Sequence, residues 1–243
     1  MDKYLSVKVQ YRNRRPSMSS KCYRCFRPES SCYCKHITPV DTGIKFVILM
    51  HPKEAFKQKT GTGRLTHLSL IDSEIIIGID FTNNARLNDL ISGQGEFARY
   101  YPVVLYPAKD AWYSDTPSFR DTIGNRTLLV IVVDATWFFA HKMVTLSKNL
   151  HGLPKLSFRS EYRSQFIIKQ QPAPQCLSTI ESSYYLVEEL KAAGIAKPAA
   201  DVSGMMSVFH RMVEFQQLCT QERHEAEAAE LYPELFEGET RQV

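Results

Sequence analysis

The sequence predicts an α/β protein: a mainly parallel sheet with helices on both faces, preceded by a small cysteine-rich module. Three observations predict it. Short, nearly unbroken apolar runs alternate with stretches of helical spacing, the clearest run being Leu128 to Val133; strands apolar on both faces belong to sheets covered on both sides. Four of the six cysteines fall between Cys22 and Cys34. The 243 residues, 44% apolar and 23% charged, suffice for a full core in one large domain without disulfides. No apolar run approaches the roughly 20 residues of a membrane span, and no long apolar stretch opens the chain, so a reducing, cytoplasmic setting is expected.

Charge divides the chain further. Residues 1–64 hold 14 Lys+Arg against 4 Asp+Glu, residues 65–220 hold 14 against 15, and residues 221–243 hold 2 against 7. A basic head on a near-neutral body fits a polyanionic partner, nucleic acid being the usual one, or a solvated arm. The expected organisation is a basic four-cysteine module over residues 1–40, a main domain over 41–220 and an acidic tail over 221–243.

The module reads Cys22-Tyr-Arg-Cys25, six residues, then Cys32-Tyr-Cys34. Two closely spaced cysteine pairs each supply one edge of a tetrahedron, which predicts a closed, structural zinc site with His36 as a spare ligand. Disulfides are the rival reading, disfavoured by a reducing compartment. Arg24, Arg27 and Lys35 interleave with aromatic residues, a mixture suited to stacking on bases and contacting phosphates.

Beyond Pro39, Ile44–Met50 reads as a buried strand, Gly61–Ile71 as a helix with Leu65 and Leu68 on one face, and Ile75–Ile79 as a strand. Ala85–Ser92 reads as a short helix, Val103–Tyr106 and Leu128–Val133 as strands, and Phe138–Leu146 as a helix. Ser178-Thr-Ile-Glu181 is a capping box opening a helix through Ala193, which Gly194 closes. A last helix is expected over Asp201–Leu218, its methionines serving as core filler.

Ligands of open α/β sheets bind beyond the carboxyl ends of the strands. Four polar clusters fall there: His51-Pro52-Lys53-Glu54 with Thr60-Gly-Thr62-Gly63-Arg64, then Asp80, then Tyr106-Pro107, then Asp134-Ala-Thr136-Trp137. Each has a bland explanation alone, such as Asp134 as a helix N-cap; together they point to a site. A dinucleotide fingerprint is incomplete, since Thr66 stands where its third glycine belongs.

Asp134-Ala-Thr-Trp137 resembles the D-x-T-W signature of the DTW-domain proteins. His51-Pro52 with Glu54, Thr60 to Arg64, Tyr106-Pro107, Ser178-Thr-Ile-Glu181 and the cysteine cluster resemble further family elements in the expected order, from Cys22 to Glu181. Ala135 departs from the glycine common there, leaving carboxylate and indole in place. The resemblance is to the bacterial members, tRNA-uridine aminocarboxypropyltransferases. It implies a SPOUT-like fold with a knotted C-terminal half. It also implies transfer of the 3-amino-3-carboxypropyl group of S-adenosylmethionine to N3 of a variable-loop uridine (acp3U), releasing methylthioadenosine.

Against that chemistry, Asp134 is expected either to take the N3 proton or to hold the amino group of S-adenosylmethionine, and Trp137 to pack on the sulfonium or adenosine. Thr62, Leu105, Tyr106, Thr136, Ser178, Thr179 and Glu181 are expected to bind S-adenosylmethionine, with Glu181 equally explained by its capping box. Arg24, Arg27, Lys35, Arg64, Arg159, Arg163 and Lys169 are expected to contact tRNA, and Cys22, Cys25, Cys32 and Cys34 to hold zinc. No membrane or obligatory protein partner is expected, and a monomer is favoured over a dimer. Two rivals stay open: a SPOUT-type RNA methyltransferase, and a zinc-dependent RNA-binding protein without catalysis.

Overall fold

The computed structural model describes residues 21–58, 60–159, 161–168, 173 and 175–231. The chain divides into two compact units, one ending at Lys35 and the other beginning at His36. The first contains a knuckle: the Cys22 amide donates to the Arg27 carbonyl and the Phe26 amide to the Cys22 carbonyl, both at 2.8 Å. This closure puts Phe26 at φ 60, a left-handed conformation that a bulky residue rarely takes. Cys25, Arg27 and Tyr33 are buried, and the Arg27 guanidinium lies 4.8 Å from the centre of the Tyr33 ring.

The second unit is a five-stranded sheet, parallel at every pairing, with helices on both faces. Its strands are β1 (Lys45–Met50), β2 (Ser73–Ile77), β3 (Tyr100–Leu105), β4 (Thr127–Asp134) and β5 (Lys155–Leu156), in the order β2-β1-β4-β3-β5. The helices are α1 (Pro52–Phe56), α2 (Gly63–Ser69), α3 (Ala85–Ile91), α4 (Pro117–Ile123), α5 (Trp137–Leu146), α6 (Thr179–Ala192) and α7 (Ser203–Leu231). All six residues of β1 are buried, as a central strand requires. Val47 and Leu49 join Leu87, Leu90 and Met143 in one core layer under α3 and α5. Ile48 and Met50, on the opposite face, pack with Ala55. There α2, α6 and α7 pack against one another, α2 on β1 and β2 and α6 on β4.

The strand order dictates where a ligand goes. The chain leaves β1 towards β2 on one side, and leaves β4 towards β5 on the other. The crevice at the carboxyl ends of β1 and β4 is therefore a topological switch point, where no crossover covers the sheet. Register aligns Met50 with Asp134 there.

Expected elements and observed ones differ at several ends. The second strand lies at Ser73–Ile77 rather than 75–79, because its pairing with β1 runs out at Met50 opposite Ile77. The helix expected to stop at Leu218 continues to Leu231. Three elements were not foreseen: α1, α4 and β5. Residues 1–20 and 232–243, which carry much of the basic head and the acidic tail, lie outside the described residues, as does Lys169. Among the described residues no helix is long and apolar enough to cross a membrane.

Candidate active site and metal centre

A cavity of about 580 Å³ opens at the carboxyl ends of β3, β4 and β5. Leu105, Tyr106 and Pro107 continue β3 into it, Val132, Val133 and Asp134 end β4 in it, and Ala135, Thr136, Trp137 and Phe138 lead from it into α5. Glu54 of α1 and Thr62, the residue before α2, reach it from β1. Its far wall is Ser157, Phe158, Arg159, Tyr162 and Phe166, then Ser178, Thr179 and Ser182 at the start of α6.

Asp134 is one of two buried carboxylates lining this cavity, with Glu54, and is only 4% exposed. The Thr179 hydroxyl donates to its Oδ1 at 2.6 Å, joining β4 to the first residue of α6 across 45 residues of sequence. The first residue of α2, Gly63, meets the carboxylate on another side. A Cβ added at Gly63 would lie 2.6 Å from the Asp134 Cγ and 2.9 Å from the Met50 Cε. Two helix N-termini thus face one buried carboxylate, and their dipoles complement its charge. Glycine is required at position 63 for this approach. Gly63→Ala is expected to lower stability by about 1–3 kcal/mol, read by thermal unfolding.

The His51-Pro-Lys-Glu54 sequence has a structural explanation. His51 is the N-cap of α1: the Lys53 amide donates to its Nδ1 at 3.1 Å, and Pro52 takes the first helical position, where no amide is needed. The His51 amide donates to the Asp134 carbonyl at 3.0 Å, which fastens the two strand ends. Burial, then the charges of Lys53 and Lys142, lower its proton affinity. The capped turn aims Glu54, also buried, at the cavity.

Every residue expected to bind S-adenosylmethionine lines the cavity except Glu181. Glu181 is fully buried, and its carboxylate accepts from the Ser178 amide at 2.8 Å, the Ser178 hydroxyl at 2.6 Å, the Ser164 hydroxyl at 2.9 Å and the Gln165 amide at 2.6 Å. It binds the 164–165 segment to the start of α6 and so fixes the far wall. Glu181→Ala strands these donors, and a loss of about 3–5 kcal/mol is expected, read as a fall in Tm.

The arginines expected at RNA are placed differently from one another. Arg159 lines the cavity, lies 4.2 Å from the Tyr113 ring centre and pairs with Asp115 at 3.1 Å. Arg64 donates to the Ala55 carbonyl at 3.0 Å; burial lowers its proton affinity, and the charge of Asp134 opposes this. Arg163 is exposed, outside the cavity lining. In the first unit Arg24 and Lys35 are exposed, whereas Arg27 is buried against Tyr33.

Sequence reasoning singled out Arg159 on the far wall, as an RNA contact, and missed its neighbours Ser157, Phe158, Tyr162 and Phe166 and the aromatic Phe138. The wall depends on β5, whose two residues carry no periodicity. The helix expected over Phe138–Leu146 gave no sign of which way its first side chain faces, and Phe138 is 76% exposed at the cavity.

In the first unit, the sulfurs of Cys22, Cys25, Cys32 and Cys34 all lie within 4.8 Å of one another. Cys22 and Cys34 are 3.7 Å apart, as are Cys25 and Cys32. These separations are far longer than a disulfide. A tetrahedron with metal–sulfur bonds of 2.3 Å has edges of about 3.8 Å, so the four sulfurs fit a four-coordinate metal ion. Backbone amides of Cys25 and Arg24 directed at its sulfur pull the Cys22 thiol down to about 6, whereas burial and neighbouring sulfurs push the Cys34 thiol up. Four thiolates side by side need a cation to be charged together, and a divalent metal ion would supply it.

A family model described as DTW domain matches residues 19–217. The tRNA-uridine aminocarboxypropyltransferase 2 of Drosophila melanogaster is 29% identical over 172 residues, 69% of this chain and 65% of that protein. Its counterpart in Mus musculus is 28% identical over 184 residues, 71% of this chain and 56% of that protein. The tRNA-uridine aminocarboxypropyltransferase A of Arabidopsis thaliana is 26% identical over 224 residues, 80% of each chain. This chain thus spans 65% and 56% of the lengths of the two animal relatives. No solved structure matches. The family match takes in the four cysteines and the entire cavity lining, and Asp134, with the threonine and tryptophan that follow it, stands at the meeting of two helix starts: the chain belongs to the DTW domain family.

Proposed function

We propose that this chain transfers the 3-amino-3-carboxypropyl group of S-adenosylmethionine to N3 of a variable-loop uridine of tRNA, giving acp3U. The observation that carries the reading is the buried Asp134 carboxylate, fixed by Thr179 in a cavity of mixed character. Leu105, Val132, Ala140 and Leu156 offer an apolar bed for adenine, and Thr62, Thr136, Ser157 and Ser178 offer hydroxyls for ribose and polar substituents. Asp134 and Glu54 offer anions and Arg159 a cation. That donor set fits a nucleoside bearing a sulfonium, an ammonium and a carboxylate, and the volume falls within the usual range for such ligands.

S-adenosylmethionine supplies an electrophilic γ-carbon on its sulfonium; N3 of the uridine bonds to it as the carbon–sulfur bond breaks, and methylthioadenosine keeps the electron pair. Asp134, held by a hydroxyl and two helix starts, anchors the ammonium group and orients the side chain rather than the methyl group towards the base. Trp137 lies beside the sulfonium, where an indole face attracts a cation. Glu54, the second buried carboxylate of the cavity, accepts the N3 proton.

Zinc is the ion proposed for the cysteine cluster, since a closed set of four thiolates leaves no position for a reacting water. Arg24, Lys35, Arg64, Arg163 and Lys169 are proposed to meet tRNA phosphates, with Arg159 shared between tRNA and the carboxylate of S-adenosylmethionine. A monomer and a threaded, SPOUT-like C-terminal half belong to the same reading. The return of the chain from the edge strand β5 to the centre of the sheet at Thr179 supports the latter. Incubation with unmodified tRNA and S-adenosylmethionine, followed by nucleoside mass spectrometry, tests the reaction. The expected result is acp3U with methylthioadenosine; a methylated nucleoside with S-adenosylhomocysteine would replace the transfer by methylation, and no product would remove it.

A further inference from the structure

The reaction needs a place for the acceptor base, which must leave its stack to reach an atom at the bottom of a cavity. Phe138 lines the cavity and yet is 76% exposed, so its ring stands at the mouth. A single exposed phenylalanine is unremarkable on any surface. This one is backed by a built support. Phe138 meets Phe139 edge to face, with ring centres 5.4 Å apart. Phe139 stacks on His51 at 4.4 Å and 22° between planes, and the Lys53 ammonium lies 4.5 Å from the centre of the Phe139 ring. His51 is itself tied through its amide to the carbonyl of Asp134. The ring at the mouth is therefore held in place by contacts that reach back to the reacting end of β4.

Two cations stand beside this ring, while the carboxylates Glu54, Asp134 and Glu161 line the cavity. Lys53 and Lys142 are both exposed and both act on His51, whose proton affinity they reduce. An aromatic face flanked by ammonium groups is the arrangement that receives an unstacked base with its neighbouring phosphates. Neither lysine, nor either phenylalanine, belongs to the basic positions expected to meet RNA. Resting on the transferase reading above, we propose that the α1–α5 surface formed by Phe138, Lys53 and Lys142 is the docking platform for the acceptor uridine. Phe138 stacks on the splayed-out base, and the two lysines pair with the phosphates on either side of it.

The test compares Phe138→Ala, Phe138→Leu and Phe138→Tyr in two binding measurements that need no turnover: filter binding of unmodified tRNA, and calorimetric binding of S-adenosylmethionine. Loss of one base stack corresponds to about 5- to 150-fold in affinity. Phe138→Ala and Phe138→Leu are expected to weaken tRNA by about tenfold or more, Phe138→Tyr to restore it, and all three to bind S-adenosylmethionine within about twofold of the parent. Lys53→Ala and Lys142→Ala are each expected to reduce the salt dependence of tRNA binding by about one unit of slope. The proposal is overturned if Phe138→Ala binds tRNA as the parent does. It is equally overturned if that variant loses S-adenosylmethionine in the same proportion, or if leucine restores binding. Failure of the parent to form acp3U, with tRNA binding lost in Phe138→Ala, would reject the transfer and keep the platform. Formation of acp3U with unchanged binding by Phe138→Ala would do the reverse.

Discussion

Asp134→Asn is expected to fold, to bind S-adenosylmethionine about 10- to 100-fold more weakly and to lower kcat/KM for aminocarboxypropyl transfer by about a thousandfold or more. Asparagine keeps the shape of the side chain and an oxygen that the Thr179 hydroxyl can reach, so the bridge between β4 and α6 survives. What disappears is the charge that two helix starts and a hydroxyl are arranged to hold. The weakening of binding is the informative part. An anchor for an ammonium group loses ground-state affinity when neutralised, whereas a proton acceptor leaves binding intact and changes kcat and its pH profile. Calorimetry with S-adenosylmethionine separates the two. Unchanged affinity in Asp134→Asn would overturn the anchoring role and return the proton to this carboxylate.

Cys25→Ser, or removal of metal by a strong chelator, is expected to unfold the segment from Cys22 to Lys35 and leave the sheet intact. Few groups in that segment are buried, Cys25, Arg27 and Tyr33 among them, so little apolar area holds it together. A structural zinc ion in a small four-ligand module contributes on the order of 10 kcal/mol, far more than those side chains. Phe26 adds to the imbalance: a non-glycine residue at φ 60 costs about 1–2 kcal/mol. Amide hydrogen exchange reads the outcome by segment. Protection across residues 22–35 should vanish on chelation while that of β1 and β4 persists, and one equivalent of zinc should be found by elemental analysis of the native protein. Persistent protection of residues 22–35 in metal-free protein would show that the knuckle folds without an ion.

The central strands were legible because burial on both faces leaves a continuous apolar run, as in β1 and β4. The strand β3 was legible only from Val103 onward, since Pro102 argues against a strand. The structure accommodates it because β5 pairs with β3 only at Val104 and Leu105. At Pro102 the strand has β4 on one side and is an edge on the other, where a missing amide costs little. Helix α4 had readable signals: Thr116 before Pro117 at its start and Gly124, at φ 59, at its end. The two residues of β5 had none, and with them went Ser157, Phe158, Tyr162 and Phe166 of the far wall. Of the site, the residues at the ends of β3 and β4 were visible as polar clusters after apolar runs, and the start of α6 as a capping box. Glu181 shows the limit of such reading. A motif that places a carboxylate near a site does not say which way it faces, and here four internal donors claim it.

The bond between Thr179 and Asp134 also has a consequence for how the protein comes into being. The carboxylate belongs to the last residue of a central strand, but the hydroxyl that fixes it is made 45 residues later, after the edge strand and the far wall. On a nascent chain this contact waits until Thr179 has been made, whereas the last residue of the sheet, Leu156, precedes it. A nascent chain emerging from the ribosome therefore completes its sheet before it owns a working pocket. The docking of α6 completes the pocket, and a chain that ends before Thr179 has the whole sheet but not the hydroxyl that fixes Asp134.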